Sequence, residues 1–152
     1  SDLGWALLLA GRNEESAEVT RRLVTQRPRY GALTWMLSDA LRRDGHEAEA
    51  LEVVRNFFRV IEGPEPDSLE AAYRHADEFL AHRDAAGSAV LSDRAHFLCA
   101  LGEVDAAIEL LRRACTERPD YALPYVDINP AYAILRAAPE YDALRDCLVP
   151  PS

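Results

Sequence analysis

Three glycines set the frame of this 152-residue chain: Gly11 and Gly45 lie 34 residues apart, and Gly102 follows 57 residues after Gly45. With the three in register, the neighbouring columns agree. Four residues before each stands Leu7, Leu41 or Leu98, and seven before stands Gly4, Ser38 or Ala95. Five after comes Ser16, Ala50 or Ala107, and six after comes Ala17, Leu51 or Ile108. Such columns suit two antiparallel helices joined by a turn that visits positive φ, where glycine is cheapest. A small residue is needed where the backbones cross, and larger apolar residues fill the groove on either side. Pro28 and Pro119, each preceded by Arg and followed one residue later by Tyr, stop the second helix and redirect the chain.

Apolar residues recur at helical spacing throughout, as in Leu33, Leu37, Ala40 and Leu41, and no alternating strand pattern occurs. Helices are expected near 2–10, 13–26, 31–43, 46–61, 67–83, 88–100, 103–117, 122–128, 130–137 and 139–147. The fold class is all-α. One helical hairpin cannot bury its own apolar faces, so the pairs are expected to stack as an α-solenoid. Residues 67–83 stand outside the repeat as one unpaired helix, which either bends the stack or lies across its groove. Asp67-Ser68 is positioned to cap it, and Ala72, Tyr73, Ala76, Phe79 and Leu80 form its apolar face.

The columns resemble the tetratricopeptide repeat (TPR). Residues 31–62 meet that pattern of Leu, small, aromatic or Leu, Gly, Ala, aromatic, Ala and Pro well. Residues 1–30 meet it partly, with Thr20 at a large or aromatic column. Residues 88–121 match from Leu98 onward but place Arg94 where Leu is usual. The resemblance implies one TPR-like domain over 1–152, with repeats at about 1–30, 31–64 and 88–121 and a cap over 122–152. The stretch from Glu117 through Tyr132 and Leu135 to Tyr141 and Leu144 is similar to the ending of TPR arrays in bacterial multidomain proteins. Those arrays trail a winged-helix regulator, a nucleotide cyclase or a protein kinase. Tyr132, Leu135, Tyr141 and Leu144 are then expected to cap the last pair, and the late start of the first repeat suggests a piece of a longer chain.

The resemblance also implies a concave face lined by the first helix of each pair. Its candidates for contacting a partner are Trp5, Leu8, Trp35, Asp39, Arg42 and His96, with the tryptophans either binding or simply packed. The function expected is a non-enzymatic module binding a peptide or protein, within a cytoplasmic bacterial regulator. A free-standing secretion chaperone and a self-associating structural segment are the alternatives.

Composition bears on partners. With 17 basic and 26 acidic residues the net charge is −9, which argues against a direct nucleic-acid surface. No apolar run is long enough for membrane insertion. Three cysteines, Cys99, Cys115 and Cys147, without close spacing read as small apolar packers in a reducing compartment. His75 and His82 are two helical turns apart, too distant to share a tetrahedral metal. His82-Arg-Asp84 matches a kinase triplet but stands without the accompanying kinase motifs. No catalytic residues, metal or cofactor are expected.

Overall fold

The computed structural model describes residues 2–87, 90–117 and 119–148, and these are helical with no strand among them. The helices are α1 (Asp2–Leu9), α2 (Asn13–Gln26), α3 (Gly31–Arg43), α4 (Glu47–Val60), α5 (Leu69–Ala85), α6 (Leu91–Leu101), α7 (Val104–Thr116) and α8 (Tyr141–Leu148). Two short 3-10 segments, Leu123–Tyr125 and Pro130–Ala137, precede α8. Residues 88 and 89 at the expected start of the sixth helix, Arg118, and the last four residues of the expected cap lie outside the described residues. The chain forms two compact units, Ser1–Ala72 and Tyr73–Ser152, with α5 running from one into the other.

The turns that join α1 to α2, α3 to α4 and α6 to α7 are built alike. Gly11, Gly45 and Gly102 have φ of 72°, 85° and 77°. The amide after each glycine donates back to a leucine carbonyl: Arg12 to Leu7 at 2.9 Å, His46 to Leu41 at 2.8 Å and Glu103 to Leu98 at 2.9 Å. Each glycine amide closes a second, shorter ring, to Leu8, Arg42 and Cys99 at 3.1 Å. This is the Schellman closure, which satisfies the last carbonyls of one helix and aims the chain back along it.

The small columns are where the helices cross. Gly4 and Ser16, Ser38 and Ala50, and Ala95 and Ala107 are all buried. In the first pair the Ser16 hydroxyl donates to the Gly4 carbonyl at 2.7 Å, and in the second the Ser38 hydroxyl donates to the Ala50 carbonyl at 3.3 Å. Thr20, at a column expected to be large, is fully buried beside Gly4. A Cβ on Gly4 would stand 2.6 Å from the Thr20 hydroxyl and 3.2 Å from the Met36 sulfur. The smaller Thr20 therefore goes with a backbone that passes unusually close. In the first unit α2 packs on α3, so the two hairpins share one core around Leu8, Leu33, Leu37, Leu41 and Val54.

In the second unit α6 and α7 pair, and the C-terminal segment closes over them. Tyr132, Leu135, Tyr141 and Leu144 are 5% exposed or less and join one core with Ala95, Leu98, Ala107, Ile108 and Leu111. The segments expected as helices at 122–128 and 130–137 are tighter 3-10 turns. Proline begins the second segment, where the Asn129 side chain accepts from the Ala131 amide at 2.9 Å, and proline also stands in the first turn of Leu123–Tyr125. With three residues per turn, Tyr132 and Leu135 eclipse one another and both enter the core.

The apolar face expected of α5 needs correction. Ser68 caps the helix, accepting from the Ala71 amide at 3.1 Å, and Ala72, Tyr73 and Ala76 are buried, but Phe79 is 62% exposed beneath the Arg83 guanidinium. The later turns of α5 dock through charge instead. Arg94, at the column where leucine is usual, donates to Asp77 at 2.9 Å and to Asp84 at 3.1 Å. Arg113 on α7 reaches the same Asp84 at 3.0 Å. Arg94 and its carboxylates are largely buried, so the polar exception in the repeat is the residue that fastens this stretch of α5 to α6.

Two outcomes test this geometry. Ala50→Leu or Ala107→Leu should overpack a helix crossing and cost about 1–3 kcal/mol in denaturant melts; an unchanged midpoint would disprove the crossing. The turn after α4 places Glu62 rather than Gly63 in the left-handed region, with φ 58°, while the Gly63 amide closes on the Phe58 carbonyl at 2.8 Å. Glu62→Gly relieves that conformation at some cost in unfolded-chain entropy, so it should stabilise by about 0.5–1 kcal/mol.

Candidate functional site

The six candidate residues fall in two places. Trp5, Leu8, Trp35, Asp39 and Arg42 belong to α1 and α3 of the first unit, and His96 belongs to α6 of the second. They are described separately.

In the first unit α1 and α3 lie side by side. Leu8 is 2% exposed and serves the core. Trp5 and Trp35 are half-buried. Asp39 is a buried carboxylate whose two oxygens are both engaged from the next turn. Arg42 donates to Oδ1 at 2.9 Å, and Arg43 donates through Nε to Oδ2 at 3.0 Å. Asp39 therefore orients two guanidinium groups at the C-terminal end of α3, where positive charge also complements the helix dipole. The Arg42 side chain stays 35% exposed, against 14% for Arg43. Of these five candidates, Trp5, Trp35 and Arg42 are partly exposed, and the Arg42 guanidinium is held by Asp39. Arg43 belongs to the arrangement too; the signal for it was its place one residue beyond Arg42 and four beyond Asp39.

On α6, His96 is half-buried within an aromatic cluster. His96 stacks on Phe97 at 5.3 Å and packs against Tyr132 at 6.1 Å, while Tyr73 of α5 lies 6.2 Å from Phe97. The Tyr132 hydroxyl donates to the Ser92 carbonyl at 3.0 Å. Asp120 then binds the start of α6, accepting from the Ser92 hydroxyl at 2.7 Å and the Ser92 amide at 3.1 Å. Ser92 and Cys99, which share the expected concave face with His96, are buried as a result. The apolar end of the last hairpin draws the C-terminal segment across itself, and that segment occupies the surface beside His96.

Burial perturbs several groups here. Asp93, in the first turn of α6, is pushed up to about 6, by desolvation first and then by the neighbouring Asp120 carboxylate. Burial raises the Cys99 thiol to about 12. Tyr132 is raised well above the usual phenol range, chiefly by desolvation and then by Asp93. Desolvation is the first cause of all three shifts. No group of three or more His, Cys, Asp or Glu among the described residues is placed to hold a metal ion.

The cysteines correct the reading of all three as packers. Cys99 is buried and free, but Cys115 near the end of α7 and Cys147 in α8 form a disulfide. The pairing was illegible from spacing because 32 residues separate the two, and only the return of α8 onto α7 brings them together.

Asp93 supplies a pH test. Its folded pKa of about 6 lies above the ordinary 3.8, so the native state holds the proton more tightly and this group adds stability as pH falls from neutrality through 6 towards 3.8. Asp93→Asn should therefore be more stable than the parent at pH 7 by about 1–3 kcal/mol, with the difference gone by about pH 4. Thermal melts across that range check it; a constant difference would mean that ionisation is not the cause.

No protein-family model, curated protein or solved structure matches this chain.

Proposed function

We propose that this chain is a TPR-like interaction module, without catalytic activity, that binds a peptide or protein segment on the α1–α3 face of its first unit. The observation that carries the reading is the half-buried Trp35 on α3, one to two turns from the Asp39–Arg42–Arg43 group. Tryptophan and arginine are the side chains most enriched where binding energy concentrates, and a rigid indole loses little entropy on contact. A guanidinium fixed by a buried carboxylate is pre-organised to donate to a carboxylate or carbonyl oxygen of a partner, which suits an extended segment with an apolar anchor.

The repeat columns and the C-terminal ending support placing the module in a cytoplasmic bacterial regulatory protein with a protein partner. The described residues contain no helix long and apolar enough to cross a membrane. In this reading His96 is a packing residue, and the binding face narrows to Trp5, Trp35 and Arg42. Asp39 acts through the arginines it holds.

The test uses peptides selected from a displayed random library against the whole chain. Trp35→Ala should fold normally by circular dichroism and weaken the selected peptides by about 2 kcal/mol or more, roughly 30-fold in Kd. A Tyr121→Ala substitution, at an exposed residue of the second unit, should leave binding unchanged. Peptides that bind the folded Trp35→Ala variant as tightly as the parent would overturn the assignment.

A further inference from the structure

We propose that the Cys115–Cys147 disulfide is a reversible redox latch on α8, opened by a low-molecular-weight thiol attacking at Cys147. Its Cα atoms stand 6.0 Å apart, within the ordinary disulfide range, so the two helices need no rearrangement for the bond to form. The two partners differ in access: Cys147 lies on an exposed position of α8, whereas Cys115 is half-buried at the end of α7. An incoming thiolate therefore meets the Cys147 side of the bond.

The chemistry is an exchange in two steps. The thiolate bonds to the Cys147 sulfur, the bond to Cys115 breaks, and the Cys115 thiolate leaves with the electron pair and takes a proton from water. A second thiolate attacks the small-molecule sulfur of the mixed disulfide, releasing Cys147 as a thiolate and a low-molecular-weight disulfide. Two thiols are oxidised and one protein disulfide is reduced; the reverse sequence closes the latch. Cys99 is 6% exposed, and burial holds its thiol protonated at neutral pH, so it takes no part.

What the bond secures is short. α8 has eight residues, too few to persist as a helix without packing. Tyr141, Leu144 and Leu148 anchor it in the core, and the Tyr141 hydroxyl donates to Asp127 at 3.1 Å. Those contacts dock α8 in both redox states. The covalent link adds a limit on how far it can swing away, so reduction raises the frequency of local opening and intermittently uncovers the core under α8. In reducing surroundings a disulfide is more often a sensing element than a fixed staple. The inference does not depend on the peptide-binding reading, since no residue of the first unit enters it.

The experiment uses the full chain held in glutathione disulfide or in dithiothreitol, with amide hydrogen exchange read by peptide mass. The oxidised protein should yield a linked Cys115–Cys147 peptide. On reduction the amides of 141–148 should exchange at least about tenfold faster while those of α6 stay unchanged, and reoxidation should restore protection. Cys147→Ser should show the fast exchange in both buffers. Cys115→Ser should take up one glutathione, mapped to Cys147 and not to Cys99. The proposal is overturned if no linked peptide forms, if exchange in 141–148 is the same in both buffers, if reduction unfolds the whole second unit, or if the glutathione maps to Cys99.

Discussion

The close crossing of paired helices at a small residue is the constraint on which the rest of the structure depends. Gly4 over Ser16, Ser38 over Ala50 and Ala95 over Ala107 stand at the same distance from a left-handed glycine, and all are buried. Because the turn returns the chain in a fixed geometry, the crossing fixes which face of each helix is turned inward. Serine at two of these positions adds a hydrogen bond to a backbone carbonyl of the opposing helix without adding bulk. A hairpin built in this way leaves one flank apolar, and each unit of the molecule is an answer to that flank. The first unit places a second hairpin on it. The second unit folds its own C-terminal segment back over it.

That difference decides which surfaces are available for recognition. On α1 and α3, Trp5, Trp35 and Arg42 are half-buried, and a buried aspartate holds the arginine. Around α6, Tyr132 and Asp120 hold Ser92, and His96 is part of an aromatic cluster with Phe97 and Tyr132. Burial has an electrostatic consequence as well: it dries Asp93 next to Asp120 and raises its pKa to about 6. The second unit thereby contains a carboxylate whose charge opposes folding at neutral pH, balanced by the apolar contacts of Tyr132, Leu135, Tyr141 and Leu144.

Much of this was legible because it is local. Helix limits follow from glycine, proline and apolar periodicity, and Asn13–Gln26 and Gly31–Arg43 agree with expectation to the residue. The small and large columns identify the crossings for the same reason: they lie within one hairpin. Departures from the pattern were visible as residues, but their meaning was not. Thr20 accompanies a glycine on a facing helix, and Arg94 meets two carboxylates from α5. The apolar stripe of α5 stops short of its later turns, which dock through charge and leave Phe79 exposed. Leu8 has the groove spacing from its turn glycine yet lies in the core, whereas His96 is half-buried beside Phe97 and Tyr132. Spacing along a helix gives a direction and says nothing of what covers it.

The amino-acid sequence by itself determined the all-helical class, the hairpin register and the three glycine turns, since each rests on backbone preferences and side-chain volumes acting over a few residues. Tertiary structure alone decided the partners of Asp84, the covering of α6, the pKa of Asp93 and the meeting of Cys115 with Cys147. Those depend on long-range return of the chain, where burial and proximity arise only once separate elements pack. Apolar periodicity says that a face must be covered, and the fold chooses the segment that covers it.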